Sequence, residues 1–405
     1  MYGSEKKVIK GSSSLIKSLN RNLVWDIIRQ KTGISRCEIA REIKLSPTTV
    51  STMVEDLIGD NLVVETGHRS SIVGRRPKGL RHNPEARYVI GIEVETHGFT
   101  AVRMNLDGTV TEVETIEVDR SVDATRALSI VIDMTKKLIS QANGNGRLLM
   151  VGVGLPGLVD VEKGILVFSP PFNWKDVRYK YVLEEHLKVP VKVDNVERFH
   201  ALGEMRFGAA KGANSAVYIE AVEDGIGAGI VLDGKIYRGV HGSAGEIGHT
   251  VVIENGPLCK CGNKGCLESL IYPEVLEREV KARTSEGIGT ILGVTGVTIE
   301  RVMDAARNGD RVAREVLDTP IRAMAKTIAD VINTLDTSVV VIGGIFLKAD
   351  DFSFNMLKEA IQKDVFNLIS NNVKIVKGEL GDSGCAMGAG AYVLHELREN
   401  IMGFL

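Results

Sequence analysis

Three cysteines and a histidine stand close together in His249-Thr-Val-Val-Ile-Glu-Asn-Gly-Pro-Leu-Cys259-Lys-Cys261-Gly-Asn-Lys-Gly-Cys266-Leu-Glu268. Three thiolates and one imidazole are the donor set of tetrahedral Zn²⁺, and a set with four protein ligands leaves no open position. The residues therefore predict a structural rather than a catalytic metal. Gly256, Gly262 and Gly265 provide the tight turns that aim His249, Cys259, Cys261 and Cys266 at one point.

These ligands account for three of five cysteines. That usage predicts a metal-binding protein of a reducing, cytoplasmic compartment rather than a disulfide scaffold. No run of 18 apolar residues occurs, and the opening Met-Tyr-Gly-Ser-Glu-Lys-Lys has no apolar signal core, so no membrane association is expected. At 405 residues two or three domains are expected. The net charge of −2 hides an asymmetry: residues 1–83 hold 15 Lys and Arg against 8 Asp and Glu, and residues 84–405 hold 35 against 44. A basic head on an acidic body suggests that the head meets an anionic polymer.

Within that head, Leu19 to Gln30 places Leu19, Leu23, Val24, Ile27 and Ile28 on one helical face. Ser35-Arg-Cys-Glu38 reads as a capping box opening a second helix, which buries Ile39, Ala40 and Ile43. Ser46-Pro47 reads as the N-cap and first position of a third helix, with Val50, Met53, Val54, Leu57 and Ile58 inward. The short link Lys44-Leu45-Ser46 is the turn of a helix-turn-helix. Its second helix would enter a DNA major groove with Ser46, Thr48, Thr49, Ser51 and Thr52 near bases and phosphates. A strand from Leu62 and the basic run through Arg75 and Arg76 then predict a wing, whose arginines would reach the backbone or a narrow minor groove.

The remainder alternates strands and helices. Strands from Tyr88, Phe99 and Thr111 precede a helix at about 123–142 and a strand from Leu148 to Gly154. A similar order restarts with Ser215 to Glu220 and the hairpin Gly225 to Tyr237, followed by helices near 298–307 and 310–335 and a strand from Ser338. The repetition predicts a duplicated α/β unit with a cleft between two lobes.

Gly245-Glu246-Ile247-Gly248-His249, followed by the Cys259-x-Cys261-Gly-x-x-Gly-Cys266-Leu-Glu268 run, resembles the signature of the ROK proteins, a family of repressors and sugar kinases. The resemblance spans about residues 85–395, and the winged head resembles that of the family's xylose, glucose and N-acetylglucosamine regulators. It implies an α/β fold: a winged helix-turn-helix over 1–83, then a two-lobe actin/hexokinase-like body. Lobe 1 is expected over 84–200, joined by the C-terminal helix 384–400, and lobe 2, with the zinc site and dimerisation surface, over 201–383. It further implies that Asn195, Glu246, His249 and Glu268 contact sugar hydroxyls.

Where family kinases read Asp-x-Gly-Gly-Thr-Lys, this chain has Glu93-Val94-Glu95-Thr96-His97-Gly98. Where they read Gly-Thr-Gly-x-Gly, it has Glu223-Asp224-Gly225-Ile226-Gly227. Carboxylates there repel nucleotide phosphates, and the position of the catalytic Asp holds Val196, which cannot accept a proton. Asp194 and Glu197 are the neighbouring carboxylates in reach of a shifted register. The expectation is a sugar-responsive repressor with structural Zn²⁺, a carbohydrate effector and no ATP. It would bind operator DNA as a homodimer or tetramer. The alternative is an ATP-dependent ROK sugar kinase with an appended DNA-binding domain.

Overall fold

The computed structural model describes residues 13–68, 78–96, 98–142, 146–223, 225–285, 287–348 and 351–399. Arg75 and Arg76 of the expected wing tip, together with His97 and Asp224, lie outside the described residues.

The head contains helices Ser13–Gln30, Arg36–Ile43 and Pro47–Gly59. Ser35 and Glu38 cap the second reciprocally. The Ser35 amide donates to Glu38 Oε2 at 2.8 Å, and the Glu38 amide donates to Ser35 Oγ at 3.4 Å. Lys44 turns the chain in the left-handed region at φ +55°. Strands Val63–His68 and Lys78–His82 pair antiparallel and form the base of the wing. One expectation needs correction. Leu19 and Leu23 are 52% and 45% exposed, whereas Trp25 is 2% exposed. The buried stripe of the first helix is Val24, Trp25, Ile27 and Ile28, because it packs toward lobe 1 as well as toward the head's own helices.

The body repeats one topology. Its first sheet has Arg87–Glu95 at the centre, flanked by Gly98–Asn105 and then Val110–Ile116 on one side. Arg147–Leu155 and then Val191–Asn195 lie on the other side, in parallel pairing. The second sheet has Ala216–Val222 at the centre, with Gly225–Leu232 and Lys235–Ile236 antiparallel on one side. Val339–Gly344 and Lys374–Lys377 are parallel on the other. Each sheet thus runs three antiparallel strands and adds two parallel ones, which is the expected duplication. The buried faces read as near-continuous apolar runs, as strands covered on both sides require.

The expected boundary at 200/201 falls inside helix Val196–Phe207. This helix follows the last strand of the first sheet and lies against the second, so it is a hinge element and belongs to neither lobe alone. It packs against the C-terminal helix Gly384–Glu399 at backbone distance. A Cβ on Gly388 would stand 1.8 Å from the Phe199 carbonyl oxygen, and one on Gly203 would stand 2.3 Å from that of Gly384. The head is equally well fastened. Its core continues into Val89, Met104, Leu149, Val393, Leu394 and Leu397 without a break.

Candidate functional site

Residues 250–268 form a compact loop. Val251 bridges Cys266 and Leu258 bridges Lys264, while the Cys259 amide donates to the Asn263 carbonyl at 2.8 Å. Gly265 sits at φ +77°, and a Cβ there would stand 1.7 Å from the Ile253 carbonyl oxygen. Only glycine fits such a position. The ligand atoms of His249, Cys259, Cys261 and Cys266 consequently lie within 4.8 Å of one another. A tetrahedron with bonds of about 2.3 Å to sulfur and about 2.0 Å to nitrogen sets ligand atoms roughly 3.6–3.8 Å apart. The Cys261 and Cys266 sulfurs are 3.7 Å apart, and Cys259 Sγ is 3.6 Å from His249 Nδ1. The donor set and its spacing fit a tetrahedral metal ion.

Two carboxylates stand beside these four residues, Glu268 on the loop and Glu246 ahead of it. Glu268 is 6% exposed, and its Oε1 accepts from the Tyr272 hydroxyl at 2.5 Å and from the Cys259 thiol at 3.1 Å. Glu246 Oε2 stands 3.8 Å from His249 Nε2, on the opposite edge of the ring from the thiols. Carboxylates outside a metal-bound imidazole orient the ring. Both Glu246 and Glu268 line a cleft of about 540 Å³ between the lobes, as do His249 and Asn195. The motif groups Glu246, His249 and Glu268, and Asn195, distant in the chain, lines the same cleft. Asn195 also caps the hinge helix. Its Oδ1 accepts from the Arg198 amide at 3.2 Å.

The same cleft holds groups that motif matching does not single out as binding residues. Glu95 and Thr96 line it from lobe 1, Val196 and Glu197 from the hinge helix, and Glu220, Glu223 and the Gly225–Gly227 turn from lobe 2. Burial, reinforced by the charge of Glu220, pushes the Glu197 carboxyl up to about 7. Burial and the Glu220 and Glu197 charges hold Glu95 well above the usual carboxylate range. Glu220 is hidden in a strand of otherwise apolar neighbours; a lone acid in such a run is the available signal.

Asp194 behaves differently. It is fully buried and bound by two arginines: Arg198 Nη1 donates to Oδ1 at 2.9 Å and Arg238 Nε to Oδ2 at 2.8 Å. Both oxygens are committed, so Asp194 is not placed to take a proton from a ligand. Of the two neighbouring carboxylates, only Glu197 reaches the cleft.

In the head, Ser46 Oγ accepts from the Thr49 amide at 3.1 Å and lies 2.7 Å from Thr49 Oγ1. Both residues are therefore partly engaged in capping the third helix. Thr48, Thr49 and Thr52 are exposed and Ser51 is half-buried on its outer face. Arg41 and Lys44, on the preceding helix and turn, are exposed as well.

The sequence profile of the ROK family matches residues 89–396. The chain belongs to the ROK family. The xylose repressor of Caldicellulosiruptor bescii is 30% identical over 392 residues, covering 96% of this ROK chain and 98% of the relative. The crystal structure of a ROK family transcriptional regulator, homologous to the Escherichia coli MLC protein, superposes with a TM-score of 0.77 at 28% identity, covering 96% of this chain and 98% of that one. The ROK hexokinase of Thermus thermophilus gives a TM-score of 0.66 at 26% identity. It covers 77% of this chain and 99% of its own, so the kinase is matched throughout while part of this chain has no counterpart in it. The chain thus falls in the repressor branch of the ROK family. Among its described residues no helix is long and apolar enough to cross a membrane.

Proposed function

We propose that this ROK protein is a cytoplasmic, sugar-responsive transcriptional repressor. In this reading two copies bind operator DNA through Thr48, Thr49, Ser51 and Thr52, helped by Arg75 and Arg76. A carbohydrate enters the cleft and is held by Asn195, Glu246, His249 and Glu268. Zn²⁺ on His249, Cys259, Cys261 and Cys266 would hold the loop that carries Glu268 and the histidine three residues after Glu246, and does no chemistry itself.

One observation supports the reading: Asn195, Glu246, His249 and Glu268, the expected hydroxyl contacts, line one cleft together with Glu95, Glu197 and Glu220, and with Arg120 among them. A sugar can bind there and close the lobes, and closure can move the attached head relative to its partner. The test is fluorescence anisotropy on DNA from the protein's own promoter region, titrated with a sugar panel. A sugar should change operator affinity or geometry; if none does, the reading is wrong. The kinase alternative rests on Glu197, the carboxylate beside Val196 that faces the cleft. A coupled ADP-release assay separates the two, and robust turnover would overturn the repressor reading.

A further inference from the structure

The phosphate end of the cleft is more than a spoiled nucleotide site. Glu220 lies directly opposite Gly227 in the antiparallel pairing of Ala216–Val222 with Gly225–Leu232. The Glu197 carboxyl reaches the same glycine from the hinge helix: a Cβ on Gly227 would stand 2.6 Å from Glu197 Oε1. Glu95 lines the same cleft from lobe 1, where the charge of Arg120 also acts on it. Three carboxylates from three elements thus line one stretch of the cleft.

Two acceptors near this stretch are unmatched. Glu197 Oε2 has no hydrogen-bond partner among the described residues. Behind Glu95, Glu93 is buried and its Oε2 is likewise unpartnered. Glu93 accepts from the Ala386 amide and does not line the cleft. A buried acceptor without a donor is costly and is normally satisfied. An ammonium supplies three donors and no acceptor, together with the opposite charge. A phosphate supplies only acceptors and meets like charge. The hydroxyl-binding end is close: a Cβ on Gly225, in the same turn as Gly227, would stand 3.2 Å from Glu268 Oε2.

We propose that the cleft contains an ammonium subsite formed by Glu95, Glu197 and Glu220, and that its ligand is a sugar carrying a free amine rather than a phosphate. The proposal rests on the sugar-sensor reading above and names the ligand class of the same site.

The experiment is calorimetric titration of the full-length, zinc-loaded protein with matched gluco- and galacto-series ligands: the 2-amino hexose, its N-acetyl form, the parent hexose and the hexose 6-phosphate. The amino hexose of one series should bind about tenfold more tightly than its acetylated, parent and phosphorylated counterparts, as a charge-assisted hydrogen bond allows. Glu220→Gln and Glu197→Gln should each erase most of that preference of amine over parent hexose, because the charge and not the shape is removed. Circular dichroism and the thermal midpoint verify that each variant is folded, and a preference that survives in both folded variants overturns the subsite. Tighter binding of the phosphate or the acetylated sugar also overturns it. Equal binding of amine and parent sugar sinks the subsite and leaves the sensor reading standing. Binding of no sugar sinks both.

Discussion

Arg238 Nε, from the segment following strand Lys235–Ile236 of lobe 2, donates at 2.8 Å to Oδ2 of Asp194, near the end of a strand of lobe 1. The other oxygen of Asp194 binds Arg198, whose guanidinium also donates to the Gly242 carbonyl at 2.5 Å. One buried carboxylate thus ties the two lobes through the hinge helix. Asp194→Ala would leave the buried Arg198 without its counter-ion. Loss of one partner of a buried pair costs about 3–5 kcal/mol, so chemical denaturation should show a loss of that size. A change within experimental error would remove Asp194 from this role.

Metal removal should act on ligand binding more than on the head. Chelation, or Cys266→Ser at a fully buried position, should lower the thermal midpoint of the body and abolish the sugar response. Metal analysis of the untreated protein should return one zinc per chain. Undiminished sugar binding after complete zinc removal would separate Glu246 and Glu268 from the metal.

The raised Glu197 carboxyl gives a signed pH dependence. Burial is the largest cause; Glu220 and Glu246 raise it further, Glu95 faces it from lobe 1, and the Asn195 side chain and a backbone amide oppose them. Between the ordinary value of 4.5 and about 7 the folded protein keeps a proton that the unfolded chain has lost. Stability therefore falls as pH rises through that window and is level above it. Allowing for the partial exposure of the side chain, the loss is on the order of 1–3 kcal/mol. Denaturant titrations of wild type and Glu197→Gln at pH 5 and pH 8 test this: the variant should have the flatter profile and be the more stable of the two at pH 8.

Gly388→Ala places a methyl against the Phe199 carbonyl. Overpacking of this kind typically costs about 1–3 kcal/mol and shifts backbone. The thermal midpoint should drop, and the sugar response should weaken even though residue 388 does not line the cleft.

On the third helix of the head, Thr48→Asp and Thr52→Asp should each weaken operator binding by tenfold or more, about 1.4 kcal/mol, through like-charge repulsion with DNA. Thermal stability should be little changed, since both residues are exposed. Anisotropy on operator DNA at two salt concentrations is the measurement.

The cysteine–histidine loop is legible in the sequence because its candidate ligands are local and its glycines are forced by contacts that a side chain would violate, as at Gly265 against Ile253. The capping box at Ser35 and Glu38 is legible for the same reason. Glu220 and Glu197 are not: they stand on separate elements, and only strand register and hinge-helix packing bring both to Gly227. Leu19 and Leu23 mislead because periodicity reports an apolar face and not which neighbour covers it. Trp25 is buried where its ring meets the edge of His82, with centroids 5.5 Å apart, a partner distant in the chain. The expected boundary at 200 falls within helix Val196–Phe207, because a helix that links two sheets carries no compositional break.

The C-terminal helix Gly384–Glu399 has 16 residues. At the ordinary helical rise it runs about 24 Å. Near its start the Ala386 amide reaches Glu93, behind the cleft. Near its end Arg398 Nη2 donates to the Leu106 carbonyl at 2.9 Å, and Val393, Leu394 and Leu397 sit in the core shared with the head. The helix is therefore a connecting rod between the effector chamber and the DNA reader. Reader and rod form one heritable unit: a head transplanted from another regulator would bind its operator yet ignore the sugar unless residues 384–399 travelled with it.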